Sequence, residues 1–112
     1  MKIAIPLHEG RLAGHFGHCG EFALVDADPS AGSVGAVKTL QAPAHAPGVL
    51  PSWLRAHGVD VVIAGGMGRR AQALFAEAGI QVVVGAEGGE PVSLAASYLG
   101  GTLTTGENLC DH

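Results

Sequence analysis

The chain has 112 residues, of which 47% are hydrophobic and 14% charged, and its formal net charge is −4. That length suits one domain, spanning 1–112, with an apolar core of its own, and the composition argues against disorder. The acidic balance, with no Lys/Arg run, gives a phosphate backbone little to hold and argues against nucleic acid as a partner.

No stretch approaches the roughly 20 apolar residues of a membrane span. The opening Met1-Lys2-Ile3-Ala4-Ile5-Pro6 lacks the apolar run of a signal peptide. A cytoplasmic protein without membrane contact is the expectation. In that reducing compartment, two cysteines point first to metal binding, catalysis or packing. A Cys19–Cys110 disulfide is the plain alternative.

Lys2 to Leu7 alternates and reads as a strand, followed by a glycine-rich loop from His8 to Gly20. Glu21 to Ala27 reads as a second strand. Asp28-Pro29-Ser30-Ala31-Gly32 has turn chemistry, and Ser33 to Leu40 returns as the antiparallel arm of a hairpin. Val34, Ala36 and Leu40 are expected on one face of that arm, with Val37 breaking the alternation.

A loop with His45 leads to a first helix, Val49 to His57, whose Leu50, Trp53, Leu54 and His57 recur at i, i+3, i+4, i+7. Val59 to Ala64 is an unbroken apolar run around Asp60, as in a strand covered on both faces. Gly65-Gly66-Met67-Gly68 then turns into a second helix, Arg69 to Ala78, with a stripe of Ala71, Leu74, Phe75 and Ala78. Ile80 to Val84 is a last strand. A third helix starts at Pro91, a residue suited to the first helical position, and stops near Gly100-Gly101. The order β-β-β-α-β-α-β-α predicts an α/β fold: a ribonuclease H-like, five-stranded mixed sheet with helices on its faces.

That fold class raises nuclease chemistry, which needs clustered carboxylates for hard cations. The first strand carries none, and the other acids are scattered. Two other segments hold the chemistry. His15, His18 and Cys19 lie within five residues, and Cys110 and His112 lie within three, so these sets contain both cysteines and three of six histidines. Thiolate and imidazole suit borderline and soft metals. Five candidate ligands exceed a tetrahedral zinc site, which leaves one as an outer donor or points to a larger cluster. The Gly66-Met67-Gly68 turn, followed by Arg69 and Arg70, is either an ordinary strand-to-helix connection or an anion pocket made by backbone N–H groups. It lacks dinucleotide and Walker spacings.

Several pieces together resemble the dinitrogenase iron–molybdenum cofactor biosynthesis family. They are Ile3-Ala4-Ile5-Pro6, His15-Phe16-Gly17-His18-Cys19 with Phe22-Ala23-Leu24-Val25-Asp26, His45-Ala46-Pro47-Gly48-Val49-Leu50-Pro51, and Gly58 through Gly68. The tail Thr105 to His112 looks like one subgroup. The resemblance implies a small, non-catalytic carrier of iron–molybdenum or related metal–sulfur clusters. It also implies His15 as a cluster contact, with His45 and Gly66-Met67-Gly68 as pocket walls. Cofactor-assembly proteins would be donor or acceptor, and ligands shared across a homodimer remain open. The extra His18, Cys19, Cys110 and His112 leave simple zinc binding, in a structural or regulatory module or a zinc-dependent enzyme, as the alternative.

Overall fold

The computed structural model describes residues 1–13, 20–43, 48–87, 89–101 and 103. The elements are β1 (Lys2–His8), β2 (Arg11–Leu12), β3 (Glu21–Asp28), β4 (Ser33–Gln41), α1 (Val49–Ala56), β5 (Val61–Ile63), α2 (Arg69–Glu77), β6 (Gln81–Val83) and α3 (Pro91–Gly100). The sheet is mixed, in the order β4-β3-β1-β5-β6, with β2 paired to β1 off that path. It therefore has six strands, one more than the sequence suggests. The extra strand is a two-residue piece inside the stretch expected to be loop.

Strict alternation sorts the sheet into two faces. Ala4, Phe22, Leu24 and Val62 join Leu50, Leu54, Met67 and Phe75 in one core beneath α1 and α2. Ile3, Ile5, Ala23, Val25, Val61 and Ile63 join Leu94 and Ala95 in the other, beneath α3. Phe22 and Phe75 are wholly buried, and each such side chain contributes roughly 1.5–3 kcal/mol. The two helical stripes read from the sequence supply Leu50, Leu54 and Phe75 to the first core, with Trp53, Ala71 and Ala78 packed beside them.

The face assignment of β4 is corrected by a bulge. Val25 pairs with Val37, but Ala27 pairs with Val34, so Gly35 and Ala36 together oppose Asp26. One inserted residue resets the alternation. Val34 and Val37 consequently share the α3 face, and Leu40, opposite Phe22, lies on the other.

Strand β1 has two different neighbours on its second side. β3 runs antiparallel along nearly its whole length, from Lys2↔Asp26 to Leu7↔Glu21. On the other side, parallel β5 pairs only at Ile3↔Val61 and Ala4↔Val62. Higher up, antiparallel β2 takes over at Leu7↔Leu12 and His8↔Arg11.

The changeover falls at Pro6. Asp60 N–H donates to Lys2 O and Ala13 N–H to Pro6 O, both at 2.9 Å, so even-numbered residues of β1 present their backbone groups to the β5/β2 side. A proline in a central strand is normally excluded because it cannot donate to the ladder. Here the missing N–H faces the β2 side, where Pro6 O accepts from Ala13 N–H, so proline forgoes only the returning half of that pair and no bond to β3 is lost.

The β1–β2 turn puts both central residues in the left-handed region, Glu9 at φ 54° and Gly10 at φ 81°. That is the twist a two-residue hairpin favours, but glutamate is poorly suited to it. Glu9→Asn should stabilise the protein by about 0.5–1 kcal/mol and raise Tm by a few degrees. A thermal melt in which Tm is unchanged or lower would contradict this reading of the hairpin.

Candidate functional site

The parallel strands β1, β5 and β6 end at one edge of the sheet, where β3 begins and β4 finishes. Ligands of open α/β sheets gather outside the carboxyl ends of strands where the connections diverge. In this sheet that place lies between β1 and β5. From β1 the chain moves through β2 to β3 and β4, whereas β5 leads to β6 on the opposite flank.

Three connections are tied to this edge by backbone bonds. Ala13 N–H donates to Pro6 O at 2.9 Å on the β5 side of β1, and Gly20 N–H donates to Leu7 O at 3.1 Å on the β3 side. Ala42 N–H, just after β4, donates to Gly20 O at 3.0 Å. The third connection is the turn from Ala64 to Gly68. Ala64 N–H donates to Val83 O at 2.8 Å, and Gly85 N–H to Gly65 O at 2.8 Å, which locks the turn against the end of β6.

Of the residues singled out from the sequence, Gly66, Met67, Gly68 and Arg69 are at this edge. Gly66 is buried, and Met67 is wholly buried with its side chain in the α1/α2 core. The turn therefore presents backbone, not the Met67 thioether, to the edge. The N–H groups of Gly66 and Gly68 donate to no backbone group among the described residues. Gly68 is the N-cap of α2, with no side-chain cap and no acid in the first turn, and an anion is favoured at such a positive helix end. Arg69 and Arg70 are exposed beside it.

His15, His18, Cys19, His45, Cys110 and His112 lie outside the described residues. Among the described residues, no group of three or more His, Cys, Asp or Glu could hold a metal ion.

Two side chains at this edge escape sequence reasoning. His8 and Arg11 are cross-strand partners on the face shared with Ala4, and hence with α2. The Arg11 guanidinium lies over Gly89, where a Cβ would overlap it. Arg11, Arg69 and Arg70 are three of the chain's six Lys and Arg residues. Of the nearby acids, Glu21 stands opposite Leu7 on the α3 face, and Glu90 is the α3 N-cap. Glu9, in the turn between His8 and Arg11, brings Oε1 to 3.9 Å from His8 Nε2, so charges of both signs meet at this edge. The only signal in the sequence would have been the Glu9-Gly10 turn, which brings Arg11 back beside His8.

A shallow cavity of about 240 Å³ lies away from this edge, between Gly48, Pro51 and Ser52 of the α1 start and Leu74, Glu77 and Ala78 of the α2 end. There the positive end of the α1 dipole is offset by the Glu77 carboxylate and the negative end of the α2 dipole.

The sequence profile of the dinitrogenase iron-molybdenum cofactor family matches residues 1–101. The chain belongs to that family. An uncharacterized relative, MJ0580 of Methanocaldococcus jannaschii, is 32% identical over 87 residues, which is 73% of this chain and 72% of the relative. The crystal structure of PH0822 matches with a TM-score of 0.84 at 32% identity, over 96% of this chain and 98% of its own. The apo form of the orange protein from Desulfovibrio gigas matches with a TM-score of 0.70 over 96% of this chain and 93% of its own. At 21% identity, that is a likeness of fold alone.

With its side chain in the core, Met67 shapes the Gly65–Gly68 turn from beneath. Met67→Leu should change stability by less than about 1.5 kcal/mol, whereas Met67→Ala should cost about 2–5 kcal/mol. Urea denaturation of both variants checks this, and an Ala variant as stable as the parent would contradict the packing role.

Proposed function

We propose that this chain carries an anionic metal–sulfur cluster, of the iron–molybdenum type or a related one, as cargo at the carboxyl edge of β1 and β5. The supporting observation is the convergence of anchors. Both ends of segment 14–19, the chain just after β4 and the Gly66–Gly68 turn are all fixed to that one edge. His15, His18 and Cys19 stand between two of those anchors, and His45 follows the third by three residues. The antiparallel half that leads into a parallel half is also why we assign a ribonuclease H-like sheet.

The donor set fits such a cargo. Thiolate and imidazole exchange with soft metals, while backbone N–H groups, the α2 dipole and Arg69 answer the negative charge of sulfide. Soft ligands that hand over a cluster need no bond-making chemistry of their own, so we assign no catalytic residue. Cofactor-assembly proteins are the proposed donor and acceptor.

Leu103 packs against the α3-side core, and seven residues further on, at Cys110, an extended chain spans at most about 25 Å. The proposal places Cys110 and His112 back at the edge within that reach.

Metal analysis and an absorption spectrum of anaerobically purified protein test this reading. Visible charge-transfer bands with molybdenum or iron are the expected result, and a colourless protein with stoichiometric zinc would contradict it. Removal of residues 110–112 should lower the bound metal. Full retention would rule the tail out as a source of ligands.

A further inference from the structure

The connection from β6 to α3 crosses the carboxyl edge. It leaves β6 beside the end of β5, where Ala86 N–H donates to Ala64 O at 3.1 Å, and arrives beside β2, where Gly89 O accepts from Leu12 N–H at 2.9 Å. Backbone groups of successive strand residues point to opposite sides. Ala13 N–H points to β1, so Leu12 N–H, one residue earlier, points away from it. Gly89 therefore lies beyond β2, in the opening left where β5 parts from β1.

The Arg11 guanidinium fills the space above this glycine. Its Nη2, Nε and Cζ all overlap the position a Gly89 Cβ would take, so a residue with a side chain would displace it. Arg11 is thus turned from β1 toward β5, over the opening, on the sheet face that also carries α2. Two residues later Ala13 is tied to Pro6 O, and the segment with His15, His18 and Cys19 begins.

This seat holds the guanidinium without neutralising it. Glu87 and Glu90 stand on either side of Gly89 in the chain, yet among the described residues Arg11 makes no ion pair or hydrogen bond with these or any other group. Glu9, in the same turn, faces His8 Nε2 instead. A guanidinium carries five N–H donors in a planar fork and keeps its charge at any ordinary pH. Resting on glycine backbone, the fork is open to an anion that presents two acceptor atoms side by side.

We propose that Arg11 selects anionic cargo: its guanidinium, seated on Gly89, binds the sulfide or oxo groups of a metal cluster and disfavours bare metal cations at the same edge. This rests on the assignment of the edge as the cargo site. Gly89 acts only through Arg11, as a positioning residue that leaves the seat open.

The test is to titrate tetrathiomolybdate and Zn²⁺, separately and over a range of salt concentrations, into the metal-free full chain. The parent should bind tetrathiomolybdate with an affinity that falls as salt rises. Arg11→Met keeps an unbranched stem but has no charge. It should weaken tetrathiomolybdate binding about tenfold, the loss of one hydrogen bond to a charged group, and flatten the salt dependence. Tm should be nearly unchanged, as for an exposed side chain, and Zn²⁺ affinity should not fall. Arg11→Lys, a point charge without the fork, should recover part of the loss.

Gly89→Ala reaches the same interaction from the other side. The backbone there is not left-handed, and the new Cβ meets only the far end of a flexible side chain, so the fold should tolerate it while Arg11 moves off its seat. Tetrathiomolybdate binding should weaken severalfold in the parent and no further in Arg11→Met, where nothing is left to displace. Parental tetrathiomolybdate affinity in Arg11→Met, or an equal loss of tetrathiomolybdate and Zn²⁺, would overturn the role of Arg11 and leave the edge assignment standing. A parent chain that binds no tetrathiomolybdate would overturn both.

Discussion

The structure turns on the point where β1 changes neighbour. Along its lower half, β1 is held by parallel β5. From Pro6 upward the same side is held by β2 and the residue after it, with Pro6 O accepting from Ala13 N–H. Proline is tolerated at the changeover because it forgoes one bond on that side and none to β3. The parting of β5 from β1 opens the edge where the chain's connections meet.

That edge is built mainly from backbone. Met67 goes inward, and the glycines around it need no room for side chains, so the turn is anchored in the core, and among the described residues the N–H groups of Gly66 and Gly68 donate to no backbone group. Gly65 is fixed from the β6 side and Met67 from the α2 side. The arrangement suits a carrier. Backbone N–H donors recognise negative charge without committing to one metal, and in the proposed function the choice of metal falls to exchangeable His and Cys side chains. The chain's overall negative charge keeps non-specific anions weakly bound, which places the burden of recognition on this local geometry.

Much of the scaffold was legible from periodicity. The unbroken run around Val61–Ile63 reports a strand covered on both faces, and the Leu50/Leu54 and Ala71/Phe75 spacings report helices lying on a sheet. Glycines at positive φ follow α1, α2 and α3 at Gly58, Gly79 and Gly101. Strand β2 was not legible, because two residues carry no period and only the β1 register reveals them. The β4 bulge was visible as a misplaced Val37, but not as the two-against-one pairing that explains it. Arg11 lies over Gly89 through a tertiary contact, and Gln72 bonds Met67 O locally across the start of α2; hydrophobic spacing encodes neither. Gly66 and Gly68 were found as a motif, yet the inward direction of Met67 follows only from packing. The His and Cys residues that suggested a metal in the first place belong to segments outside the described residues, so their shared location is inferred from where the flanking chain is tied down.

Crystals of the metal-free chain soaked with tetrathiomolybdate, with diffraction recorded at the molybdenum absorption edge, would locate the cargo without relying on any variant. The account predicts one strong anomalous peak beyond the ends of β1 and β5, within reach of the Gly66 and Gly68 N–H groups. A peak in the cleft between α1 and α2, or at the opposite edge beside Lys2 and Asp60, would contradict it.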